Sequence, residues 1–100
     1  MRYEDFRRGL VEAVLTTPGD TSPEVRRAAL ERATAPGPLG PYVSNVVRHA
    51  YKITDTDVAR LRHAGHSDDS LFEITVAAAV GAALHRLDRG MAALRGEEPD

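Results

Sequence analysis

Apolar residues recur at helical spacing in five stretches of the chain, and residues that stop helices separate them. From Tyr3 to about Leu15, Phe6, Leu10, Val11, Val14 and Leu15 return every three or four positions, while Arg7, Arg8 and Glu12 fall largely on the other side. This pattern predicts an amphipathic helix. Thr16-Thr17-Pro18-Gly19-Asp20 ends it, because Pro18 disfavours helix at Thr17 and Gly19 suits a turn. Ser22-Pro23-Glu24 then opens a second helix, with an acceptor for a free N–H, a proline at the first position and an acid at the positive end of the dipole. Its inner side is expected to carry Val25, Ala28, Ala29 and Leu30, and its end to fall near Thr34. Three prolines and two glycines between Ala35 and Pro41 predict a stiff connector without regular structure. Tyr42 to Tyr51 reads as a third helix with Val43, Val46, Val47 and Ala50 inward, since its polar residues do not alternate as a strand's would.

The last two helices form a hairpin. Thr54-Asp55-Thr56-Asp57 has the form of a capping box, an acid replacing the usual Glu or Gln. Val58, Leu61 and Ala64 are then expected inward, and Gly65 is placed to cap the helix C-terminus. Ser67-Asp68-Asp69 immediately caps a long final helix, predicted from about Asp68 to Leu94. Between Ile74 and Leu84 that helix carries no charge, and Thr75 is its one polar side chain. A helix apolar all round must be buried all round. Ala77, Val80, Leu84, Leu87, Met91 and Leu94 repeat like a coiled-coil seam, and Ala77, Ala78, Ala79, Gly81, Ala82 and Ala83 would admit another backbone closely. The segment is read as the subunit interface of a symmetric homo-oligomer, in preference to the central helix of a monomeric bundle, because four short helices can hardly cover every face.

Composition agrees with a small all-α domain. One hundred residues make one domain, with 96–100 expected to fray beyond a helical unit at 1–95. Fifteen of the 42 hydrophobic residues are alanine, so the core has modest bulk, which again favours a second subunit. Net charge is −2 and cysteine is absent. The first fact argues against a general polyanion binder; the second removes thiol nucleophiles, thiolate metal sites and thiol peroxidase chemistry. No apolar run approaches the ~20 residues of a membrane span, and Met-Arg-Tyr-Glu-Asp begins no secretory signal. A cytoplasmic protein without membrane contact is expected.

The stretch from Lys52 to Glu73, Lys-Ile-Thr-Asp-Thr-Asp-Val-Ala-Arg-Leu-Arg-His-Ala-Gly-His-Ser-Asp-Asp-Ser-Leu-Phe-Glu, resembles the hairpin of the carboxymuconolactone decarboxylase-like superfamily, which includes the alkylhydroperoxidase D proteins. The likeness covers roughly residues 40–95. It lies in the alanine-glycine pair Ala64-Gly65, the small polar cap, the acids and the Ala-rich helix that follows. It implies an alkylhydroperoxidase D-like, oligomeric all-α fold. Redox members carry Cys-x-x-Cys-x-x-x-His, with the turn glycine about eight residues after the His. Counted back from Gly65, those positions hold Ala50, Ile53 and Asp57 here. The redox centre is therefore missing, and peroxidase activity is expected to be absent.

Among the remaining polar residues, His49, Tyr51, Asp55 and Asp57 come nearest to an acid/base cluster, where the resemblance would put a pocket. A His beside a carboxylate can act as a general base near neutral pH. Capping explains the same residues more simply: Asp55 and Asp57 neutralise free N–H groups at a helix start, and His49 caps the end of the preceding helix. His63 and His66 flank the hairpin turn beside Ser67, Asp68 and Asp69. A metal there would lack a second ligand pair, so no metal and no cofactor are expected. His85 suits a polar rim. Glu73 is expected to pair with Arg60 or Arg62 across the hairpin. The hairpin also has a helix-turn-helix outline, but Asp68, Asp69 and Glu73 would face phosphates, and nucleic acid is rejected as a partner. Two functions remain: a homo-oligomeric binding or scaffold protein, of a small organic ligand or another protein, and a cofactor-free lyase, isomerase or hydrolase using His49 with Asp55 or Asp57.

Overall fold

A computed structural model describes residues 2–31, 39–48 and 53–96. They form five α-helices: α1 Tyr3–Thr16, α2 Pro23–Leu30, α3 Leu39–Arg48, α4 Asp55–His63 and α5 Asp68–Leu94. No strand occurs among the described residues. The α5 helix is the axis of the fold, with α1, α2 and α3 packed on it. From α4, Leu61 and Val58 reach the same core.

Local signals place the helix ends. Ser22 Oγ accepts from Val25 N–H at the start of α2, and Ser67 Oγ accepts from Ser70 N–H at the start of α5. The capping box at Thr54 forms in both directions: Asp57 N–H donates to Thr54 Oγ1 at 3.2 Å, and Thr54 N–H donates to Asp57 Oδ2 at 3.0 Å. Gly65 follows α4 with φ +105°, a left-handed conformation that costs glycine nothing.

Several expectations about the helices fail, the first at α2, which ends at Leu30 and not near Thr34. The connector ends early: α3 begins at Leu39, so Gly40 and Pro41 lie in its first turn. Proline is tolerated there because a first-turn N–H has no partner inside the helix. Ala64 is exposed at the end of α4 instead of facing the core. On α2, Val25 faces outward and Arg26 is the buried residue, only 6% exposed.

Arg26 is buried because it serves the end of α1. Its Nη1 donates to Val14 O at 2.9 Å and to Thr17 O at 2.6 Å, and its Nη2 donates to Thr21 O at 3.0 Å. A cation at a helix C-terminus also meets the negative end of the dipole. Its Nε is buried and has no hydrogen-bond partner among the described residues. Replacing Arg26 by Met keeps the apolar stem but strands three carbonyls. A loss of about 2–3 kcal/mol in urea unfolding is expected, the scale of hydrogen bonds from a charged donor; an unchanged midpoint would show that water serves those carbonyls equally well.

Thr75, the polar exception in α5, is satisfied internally. Its hydroxyl donates to Leu71 O at 2.6 Å, which leaves the Tyr42 hydroxyl as donor in the 2.6 Å bond between Tyr42 and Thr75. That bond ties α3 to α5 beside the core.

Candidate interaction surface

The helical period divides α5 into two apolar faces. One is core: Leu71, Ile74, Ala77, Ala78, Gly81, Ala82 and Leu84 are buried against the chain's own helices. The other is open. Phe72, Val76, Ala79, Ala83, Leu87, Gly90 and Leu94 are exposed, Phe72 by 69% and Leu94 by 83%. At 3.6 residues per turn these seven positions lie on one side of the helix. Together they make a contiguous apolar strip along the helix.

This corrects the seam expected from sequence. Ala77 and Leu84 of that seam lie in the intrachain core; Leu87 and Leu94 lie on the open face. Of the small residues expected to admit a second subunit, Gly81 instead admits α2, while Ala79 and Ala83 lie on the open face. A Cβ on Gly81 would sit 1.9 Å from Leu30 O, so the end of α2 rests directly on the Gly81 backbone. Phe72 and Val76 lie outside the expected seam. The signal that points to them is the spacing of apolar and small residues from Phe72 to Leu94.

A groove of about 240 Å³ flanks the strip, between Ala13, Val14, Thr17 and Pro18 on one side and Phe72 and Val76 on the other. At its rim Glu73 does something other than pair across the hairpin. Its carboxylate accepts the backbone N–H groups of Asp20 and Thr21, both at 2.8 Å, and the Thr21 hydroxyl. The side chain thus fixes the loop between α1 and α2. Gly19 leaves room for it, since a Cβ there would lie 2.5 Å from Glu73 Oε2. The hairpin ion pair is made by Arg62 and Asp68 instead, at 2.6 Å.

The three hydrogen bonds, led by that from the Thr21 hydroxyl, hold the Glu73 carboxyl below its ordinary value. A carboxyl whose pKa is lower folded than unfolded contributes stability above the unfolded pKa and loses it as pH falls through the folded value. The variant E73Q is therefore expected to unfold with a shallower pH dependence on the acid side, below about pH 4.3. Urea midpoints across that limb check this; parallel limbs for the two proteins would contradict it.

On the far end of α5, Asp88 gathers α1. Arg7 donates to it through Nε and Nη2, each at 2.9 Å, and the Tyr3 hydroxyl donates to Oδ1. Hydrogen bonding to Arg7 lowers the Asp88 carboxyl, and the carboxylate in turn raises the Tyr3 phenol and the Arg7 guanidinium. Arg7 therefore faces α5, although its spacing put it on the polar side of α1. Half exposed to solvent, the pair contributes at most about 1 kcal/mol, but it sets the position of α1 along α5.

The candidate acid/base residues divide. His49 and Tyr51 lie outside the described residues. Asp55 is exposed in the first turn of α4, and Asp57 is engaged in the capping box. Asp57 also lines a depression of about 80 Å³ with Pro41, Tyr42, Asn45, Arg60 and Leu61. His63 is exposed at the end of α4 and His66 half-buried after the turn. No group of three or more His, Asp or Glu side chains able to hold a metal forms among the described residues. His85 is exposed near Asp88, beside a depression lined by Arg7, Leu30, Glu31 and Gly81.

By length and composition α5 could also cross a bilayer. Compared with known proteins, the chain matches no family model, no curated protein and no solved structure.

Proposed function

We propose that this protein is a homo-oligomeric, all-α binding or scaffold module that associates through the open face of α5 and performs no thiol chemistry. The exposed strip from Phe72 to Leu94 carries this reading. Surface area supports it. A compact chain of 10.9 kDa exposes about 5,600 Å², whereas this one exposes 6737 Å². Its radius of gyration is 14.8 Å, against about 12.7 Å for a compact domain of this length. The subunit is elongated along α5, with extents of 47 × 28 × 19 Å.

Within this proposal the chain is a cysteine-free relative of the carboxymuconolactone decarboxylase-like superfamily, on the residues of the hairpin and the Ala-rich helix after it. No sulfur nucleophile is available at Ala50 or Ile53, so hydroperoxide consumption is expected at background. A cytoplasmic location belongs to the same reading.

Mass photometry or light scattering at micromolar concentration tests it. The expected mass is about 22 kDa, twice 10.9 kDa, or a higher multiple. A single-subunit mass maintained into the hundreds of micromolar would overturn the proposal.

A further inference from the structure

We infer that the open face of α5 pairs antiparallel with the same face of a second copy, about a twofold axis that passes beside Ala83. This rests on the self-association reading and adds the direction and register of the contact. Three observations carry it.

The first is spacing. From Phe72 to Leu94 the strip advances by four, three, four, four, three and four residues, a series that reads the same from either end. Ala83 stands at its middle. A twofold axis there brings Phe72 level with Leu94 of the partner subunit, Val76 with the partner's Gly90, Ala79 with the partner's Leu87, and Ala83 with itself.

The second is volume. Two of those levels set a branched aliphatic residue against alanine or glycine, the end levels set two large residues together, and the centre sets alanine on alanine. Large positions meet small ones at the two intermediate levels, and the helices come closest at the alanine contact and part toward the ends. A parallel, in-register pair would instead stack Leu87 on Leu87 and Gly90 on Gly90, alternating crowding with voids.

The third is charge. At the start of α5 Asp68 is paired with Arg62 and Glu73 holds the loop between α1 and α2, which leaves Asp69 there to face a partner, while Arg86 and Arg89 lie toward the other end, where Asp88 is paired with Arg7. Antiparallel packing brings the acidic end of each helix beside the basic end of the other, and opposes the helix dipoles. Parallel packing would set like beside like. A lipid surface, the other apolar partner such a strip fits, would gain nothing from a palindromic register.

Because the chain has no cysteine, an introduced thiol is the sole one per subunit. With helix axes about 8 Å apart at the alanine centre, paired Ala83 Cα atoms fall within the roughly 4–7 Å range of a disulfide. Two Val76 positions would stand about 21 Å apart along the axes. Gly90 accepts a side chain, since a Cβ there would have nothing within 4 Å. The experiment oxidises A83C, V76C, and an equimolar mixture of V76C with G90C, after mass photometry of each reduced protein. Expected are near-complete cross-linking of A83C, a V76C–G90C heterodimer, and at least tenfold less V76C homodimer. Efficient V76C homodimer without the heterodimer would establish parallel packing and overturn the inference. A dimeric mass with no cross-link in any sample would overturn the register while leaving self-association standing. A monomeric mass, with or without flotation on vesicles of mixed zwitterionic and anionic lipid, would overturn both.

Discussion

Replacing Phe72 and Leu87 together by Asp is expected to leave a single subunit of 10.9 kDa with unchanged helix content. Both side chains project from the open face of α5, so neither contributes to the subunit core. Changes at such exposed positions alter the stability of the subunit by only about 0.5 kcal/mol. At the proposed interface the same changes act differently. Each places a carboxylate in an apolar contact and removes a large apolar anchor, and symmetry repeats both effects. Anchors of this kind cost about 2 kcal/mol or more each when truncated. A combined loss on the order of 8 kcal/mol, two positions on each of two subunits, corresponds to about a millionfold weaker association. Sedimentation or light scattering measures the mass, and circular dichroism the helix content. An oligomer that survives both substitutions would place the interface elsewhere.

The second large effect is expected at Gly81, where α2 meets α5. Glycine inside a helix ordinarily weakens it, and replacement by Ala adds about 1 kcal/mol. Gly9, in the middle of α1, has nothing within 4 Å of where a Cβ would stand, so G9A is expected to show that gain. At Gly81 the added carbon would overlap three backbone atoms of Leu30, at 1.9, 2.7 and 2.9 Å. No rotamer change relieves a backbone overlap, so α2 must leave its seat and take Ala29 out of the core. Overpacking of this kind costs about 1–3 kcal/mol, occasionally more, which outweighs the helix gain. We expect G81A to lower stability by about 1 kcal/mol net and G81V to abolish cooperative unfolding. Urea melts of G9A and G81A compare the opposing signs directly; equal gains would mean that α2 does not rest on Gly81.

These two positions also show where sequence reasoning reaches its limit. Capping residues are legible. Ser22, Thr54 and Ser67 each sit before a run of helix formers and bond to an N–H three residues on, a relation that needs no tertiary information. The length of α5 and the position of the turn before it are legible for the same reason. Arg26 is not, since its acceptors lie on α1 and the following loop, five to twelve residues away, and an arginine on a short helix ordinarily faces water. Sequence proximity points Glu73 to Arg60 and Arg62, whereas its partners lie more than fifty residues away in the chain. The acid/base group expected near α4 draws on residues whose local role, the capping of α4 by Asp57, accounts for the side chain the structure describes.

The sequence by itself determined that the fold is all-α, where most of its helices start, and that the last is too apolar to stand in water on every side. Which side of that helix meets its own chain was decided only by the tertiary structure. Eleven residues from Ile74 to Leu84 without a charge carry no polar stripe to define a phase. The phase is set where a glycine lets the backbone of α2 come closest, and that choice leaves Phe72, Val76, Leu87 and Leu94 facing outward.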